Sequence, residues 1–302
     1  MSSADRLRVI VFPGVQDLPN FAAEACGFFD RRGLSVETVF TSGSGQLRAG
    51  LADGSYDLAH GAVDNAIDMI HSGGHDIITV CGLDHGFNTF FVQPDIATWD
   101  DLRGRTVVVD APDTAFALMI YEILARHGLQ PGDYRVQPVG STRFRLEAMQ
   151  KGGEAAAMLN LPFAVLAKRA GLKVMADPAQ ELGAYQSCCG FVRRAWAAQH
   201  PDVLTRYLAA YLEGLRWTLD PANRAAATAL LVAKLSIAAD VADICYDLVT
   251  DPRSGFALNA AIDRAGFSNM LALRQKAIGG TGDLSPDRYL DLSYRAAALA
   301  LI

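Results

Sequence analysis

Short apolar runs and helical stripes alternate along the first 190 or so positions. Residues 9–12 read as a buried strand, and 20–32 as a helix stopped at Gly33. Residues 34–41 alternate, with Leu34, Val36, Thr38 and Phe40 on one face. A short helix (to Leu51), a strand (56–61), a helix (63–71) and a strand (77–82) follow, separated by Gly- and Ser-rich turns. After an interruption at 84–88, the apolar run 89–92 opens a second set. Its clearest unit is 106–128: the β-branched run Val107, Val108, Val109, a turn at Ala111 to Thr114, then apolar positions at helical spacing up to Gly128. Strands at 134–139, 155–159 and 172–175 alternate with helices at 143–151 and 161–170. An extended segment spans 185–192, and helices at 199–219, 223–235, 238–249, 257–276 and 286–300 complete the chain. Strands alternating with helices predict βαβ units and mainly parallel sheets. The two sets look like two versions of one layout.

Composition narrows the function classes. The 302 residues are half hydrophobic and one-fifth charged, enough for a large core. The formal charge of −6, without a Lys/Arg cluster, argues against a nucleic-acid partner. No apolar run reaches the length of a membrane span. The first residues lead directly into a strand with no apolar leader, so as written the chain reads as cytoplasmic. A signal removed before this sequence begins would make it periplasmic. The five cysteines (Cys26, Cys81, Cys188, Cys189, Cys245) show no metal-ligand spacing, so neither a metal nor a cofactor is expected.

Four segments then carry a resemblance. They are FAAEACGFFDRRGLSVE (21–37), LADGSYDLAHG (51–61), TWDDLRGRTVVVDAPDTA (98–115) and FVRRAWAAQHPDVLTRYLAAYLEGLRW (191–217). In this order they resemble type II periplasmic-binding-protein-like folds, in the sulfonate/nitrate/taurine and pyrimidine-precursor (NMT1/THI5-like) branch. The resemblance implies an α/β protein of two lobes, with crossover hinges near 87–92 and 187–192 and a helical C-terminal part. Lobe I would be 1–88 with 192–302, and lobe II 89–191. A small ligand would be enclosed by hinge closure.

The family's contact positions fall on Gln16, Asp17, Ser42 and Ser44, then on His60, Asp64 and Asn65. The first crossover contributes His85, Phe87 and Asn88, lobe II Asp113, Thr114 and Asn160, and the second crossover Gln186 and Cys188. Asp113 departs from oxyanion binders. As an N-cap it would occupy the helix N–H groups and, with Asp17, Asp64 and Asp84, favour a donor-rich or cationic ligand stacked on Phe87. Otherwise it is an ordinary cap facing away. His60, His85, Cys188 and Cys189 are the catalytic candidates, each also readable as a structural residue. Strand alternation turns one of the paired cysteines to the cleft and the other into the core. Arg143 and Arg145 read as exposed helix charges with an anion-contact alternative.

Two functions follow from the resemblance. One is a solute-binding protein of an ABC-type importer, taking a small polar or heterocyclic ligand (pyrimidine-like, amine or sulfonate) and docking on a permease. The other is a cytoplasmic enzyme on the same fold, a lyase, decarboxylase or desulfinase using cleft His and Cys residues.

Overall fold

The computed structural model describes residues 4–278 and 285–302. Ten strands among these residues form two sheets. They are β1 (Asp5–Val11), β2 (Leu34–Phe40), β3 (Leu58–Ala62), β4 (Ile77–Gly82), β5 (Thr89–Val92), β6 (Thr106–Val109), β7 (Arg135–Pro138), β8 (Ala156–Leu159), β9 (Lys173–Ala176) and β10 (Cys188–Arg193). The first sheet has the order β2-β1-β3-β10-β4 and the second β7-β6-β8-β5-β9. The two orders repeat one plan. Three parallel strands come first, and the fourth place goes to an antiparallel strand that enters just after a crossover. The repeat sensed in the sequence is therefore a repeat of topology.

Helices cover both sheets. They are α1 (Leu18–Ala25), α2 (Phe28–Arg31), α3 (Ser44–Ala52), α4 (Asp64–His71), α5 (Ala115–Arg126), α6 (Thr142–Lys151), α7 (Phe163–Arg169), α8 (Pro178–Leu182), α9 (Arg194–Gln199), α10 (Pro201–Leu219), α11 (Arg224–Leu235), α12 (Ala239–Val249), α13 (Arg264–Ile278) and α14 (Ser293–Leu299). No single one of them is long and apolar enough to cross a membrane. Val107 to Val109 of β6, and Ile77 to Gly82 of β4 at the end of the first sheet, are buried throughout, so their apolar runs are continuous rather than alternating.

Three expectations are corrected. The helix expected over 20–32 is two helices, because Gly27 takes φ of 68°, a left-handed value that ends α1 and starts α2. The helices expected at 257–276 and 286–300 begin only at Arg264 and Ser293, after short 3₁₀ turns. The chain also rejoins the first sheet at Cys188, a few positions before the boundary at 191–192.

The two links between the sheets, 83–88 and 183–187, run side by side. Leu83 N donates to Cys188 O at 3.0 Å, and the Gln186 amide donates to Asp84 O at 3.0 Å and Cys188 O at 3.1 Å. The long helix α10 packs on α1 by way of Gly214. A Cβ there would sit 2.1 Å from the Pro19 carbonyl oxygen.

Candidate functional site

A cleft opens between the two sheets. Its walls are strand ends and helix starts. Phe12, Pro13 and Gln16 follow β1, Ala62 ends β3 and Asn65 follows it, Asp110 follows β6, Asn160 follows β8, and Cys188 opens β10. Ser44 begins α3, Thr114 to Phe116 begin α5, and Ser141 and Thr142 begin α6. None of the three N-cap residues makes a side-chain cap bond; at α3 the Ser44 N–H is taken by the Asp110 carboxylate, while α5 and α6 present their positive ends to the cleft.

Arg145, in the first turn of α6, is the dominant charge. It is 1% exposed. Its Nη2 donates to Thr142 Oγ1 at 2.6 Å, while Nε and Nη1 are buried without a partner. The guanidinium carbon lies 5.5 Å from the Phe116 ring centre. Burial pushes the Arg145 pKa down to about 10, with the Asp110 carboxylate opposing that shift. The side chain therefore stays cationic at neutral pH, with two donors unsatisfied, which is costly unless an acceptor meets them.

Asp110 also joins the lobes. Ser44 donates to its Oδ2 through both hydroxyl (2.5 Å) and backbone N–H (3.3 Å). Beside it, Ser141 N donates to Ser42 O at 3.1 Å.

Of the positions named from the sequence, Gln16, Ser44, Asn65, Thr114, Asn160 and Cys188 line this cleft. The others lie elsewhere. Ser42 is exposed, its hydroxyl on Gln46. Asp113 is corrected as a cap. Thr114 occupies the N-cap position, and the Asp113 carboxylate turns outward to Arg48 at 3.4 Å. Asp64 faces Arg274 of α13, which donates to both its oxygens at 2.9 Å and also to Asp68. Gln186 is fully buried and accepts from Asp263 N at 2.8 Å, fixing the second link rather than facing the cleft. Phe87 meets Phe256 edge-on, centroids 6.0 Å apart, instead of a ligand face. His85 and Asn88 belong to the first link and are outside the lining residues.

His60 is corrected from cleft acid–base group to core residue. It has no exposed surface; its Nδ1 lies 2.6 Å from Asp17 Oδ1 and its Nε2 3.1 Å from the Tyr207 hydroxyl. That hydroxyl donates to Asn20 Oδ1 at 3.0 Å, so it accepts from Nε2, which must carry a proton. The short Asp17–His60 contact then needs a second proton, and burial pushes the Asp17 carboxyl up. This buried network ties α1, β3 and α10 together.

Cys189 is fully buried, while Cys188, 6% exposed, lines the cleft. Burial and the carboxylates of Asp84 and Asp17 push the Cys188 thiol well above the ordinary range. The Asp84 carboxyl, bonded to Gly86 N at 2.7 Å and to that thiol, is itself raised by burial to about 6. Among the described residues no group of three or more His, Cys, Asp or Glu could hold a metal ion.

Arg145 and Asp110 were the residues to find. Thr142, Arg145, Leu146 and Met149 form one buried stripe at helical spacing, so the sequence does carry a signal that Arg145 faces inward. The Cβ tilt toward the helix start brings an Arg at that position back to the strand ends.

Two lobes of one topology, joined by paired links and facing each other across a cleft, define a periplasmic-binding-protein-like fold of type II. The NMT1/THI5-like family model matches residues 16–225, and the chain belongs to that family. No curated protein matches it in sequence. Among solved structures, the periplasmic nitrate-binding protein NrtA from Synechocystis PCC 6803 is similar, at 16% identity and TM-score 0.85 over 99% of this chain and 89% of that one. The periplasmic aliphatic sulphonate-binding protein SsuA from Escherichia coli is similar at 19% identity and TM-score 0.72, covering 97% and 92%. The desulfurization enzyme DSZB is similar at 17% identity and TM-score 0.68, covering 98% and 99%.

Proposed function

We propose that this chain is the solute-binding protein of an ABC-type importer, taking a small organic anion between its lobes and presenting it to a permease in the periplasm. One observation carries the anion: Arg145 is buried in the cleft with two N–H donors unpartnered. The starts of α5 and α6 beside it add positive potential of the same sense. Nitrate and sulphonate, named for two of the matched structures, are anions, which supports the reading. Gln16, Ser44, Asn65, Thr114 and Asn160 would complete the contacts. The two lobes, joined by the links 83–88 and 183–187, would close about those links.

The enzyme reading draws support from DSZB, but it needs a reactive thiolate, and the environment of Cys188 favours the thiol. Calorimetric titration with nitrate, alkanesulfonates, carboxylates and an aminopyrimidine tests the proposal. Micromolar binding of at least one anion, lost in Arg145→Met, is the expected result. An aminopyrimidine bound more tightly than every anion, and unaffected by that substitution, would overturn it.

A further inference from the structure

The cleft holds more than an anion socket. Asp110 lines the same cavity as Arg145. Its Oδ2 is committed to Ser44, whereas its Oδ1 makes no hydrogen bond among the described residues and lies over Gly43, where a Cβ would approach to 3.0 Å. Asn160 lines the cavity as well, and its Oδ1 is buried without a partner. Two acceptors therefore stand in one small cleft with one cation.

A simple anion would satisfy Arg145, leave the buried Asn160 oxygen unmet and meet repulsion from the Asp110 carboxylate. A ligand with an N–H donor at its other end meets all three groups. Phe12 and Phe116 supply apolar wall to the same cleft. We propose that the ligand is an anion bearing an amino or amide N–H donor, its anionic end on Arg145 and its donor end read by Asp110 and Asn160. This rests on the anion reading above and narrows it to a class.

The test uses matched pairs that differ only in the donor: 3-aminopropane-1-sulfonate against butane-1-sulfonate, and 4-(aminomethyl)benzoate against 4-ethylbenzoate. Titrated into the intact chain, the amino member of at least one pair is expected to bind ten-fold or more tightly than its partner. In Asp110→Asn, whose amide keeps the shape but loses the charge, that preference should fall to three-fold or less. Circular dichroism and the melting temperature verify that the variant is folded; if it is not, Asn160→Leu provides the same readout. Equal binding within both pairs, or an undiminished preference in the folded variant, overturns this inference and leaves the anion reading standing. Failure of all four probes, with Arg145→Met also indifferent to every anion tried, overturns both.

Discussion

Replacing Arg145 by Met should stabilise the protein while removing its ligand. The substitution keeps most of the side-chain volume and removes a buried charge with two unpartnered donors. Burial lowers the Arg145 pKa from 12.5 to about 10. At about 1.4 kcal/mol per unit, the cation carries a burial cost of about 3 kcal/mol. The sign follows from that direction. A base whose folded pKa is depressed destabilises the folded state fully below pH 10, with relief only as pH climbs from 10 towards 12.5. The whole cost is therefore present at pH 7.5. Against it stands the bond to Thr142, worth about 1.5 kcal/mol as a charge-assisted contact. The net gain is about 1–2 kcal/mol, a rise in melting temperature of roughly 2–5 °C for a chain of this size. Scanning calorimetry of the ligand-free proteins at pH 7.5 measures it. Anion affinity should fall by about a hundred-fold, since a desolvated charge-assisted contact is lost. A melting temperature lowered by several degrees would show that Arg145 is a satisfied structural residue, and the binding argument would lose its basis.

Other outcomes follow from the same geometry. Gly214→Ala should cost more than about 2 kcal/mol in denaturant unfolding, because the new methyl meets the Pro19 carbonyl at 2.1 Å; a neutral result would mean α10 can slide on α1. Asp84, raised from 3.8 to about 6, contributes stability that is full below pH 3.8 and lost as pH rises through 6. Asp84→Asn should therefore flatten the decline in melting temperature between pH 4 and 7.5, and an unchanged slope would count against it. Native-state labelling at pH 7.5 with a thiol reagent should modify Cys26 first and leave Cys188 slow, its burial and raised pKa acting together; rapid loss of Cys188 would revive the enzyme reading. Arg274→Ala should destabilise by about 3–5 kcal/mol, since it strands the buried Asp64 carboxylate, whereas Arg274→Met paired with Asp64→Leu should recover most of that loss.

The strands were legible because burial on both faces writes itself as uninterrupted apolar runs. Ile77 to Gly82 and Thr106 to Val109 fall where the pattern puts them. Gly27 was harder to read, since a glycine inside an amphipathic run looks like a tolerated helix residue until its backbone sign is known. For single polar residues the pattern ran out. His60 and Asp17 occupy positions that usually face a ligand, yet Tyr207, more than 140 positions further on, closes over them. Asp113 has cap chemistry at the right place, but Arg48, from the other lobe, draws it outward. In each case a partner remote in sequence decided the direction of the side chain. Arg145 was readable from its own stripe, and the assumption that helix charges face solvent hid it.

The place of β10 has a consequence for how the polypeptide is made. This strand sits between β3 and β4, yet it is the last of the ten to leave the ribosome. Until residue 193 emerges, β3 and β4 have no neighbour in common, and the earlier strands can at best form an incomplete sheet with bare edges. Assembly of the amino-terminal half must wait for a segment made some hundred residues later, so the nascent chain stays open through most of synthesis.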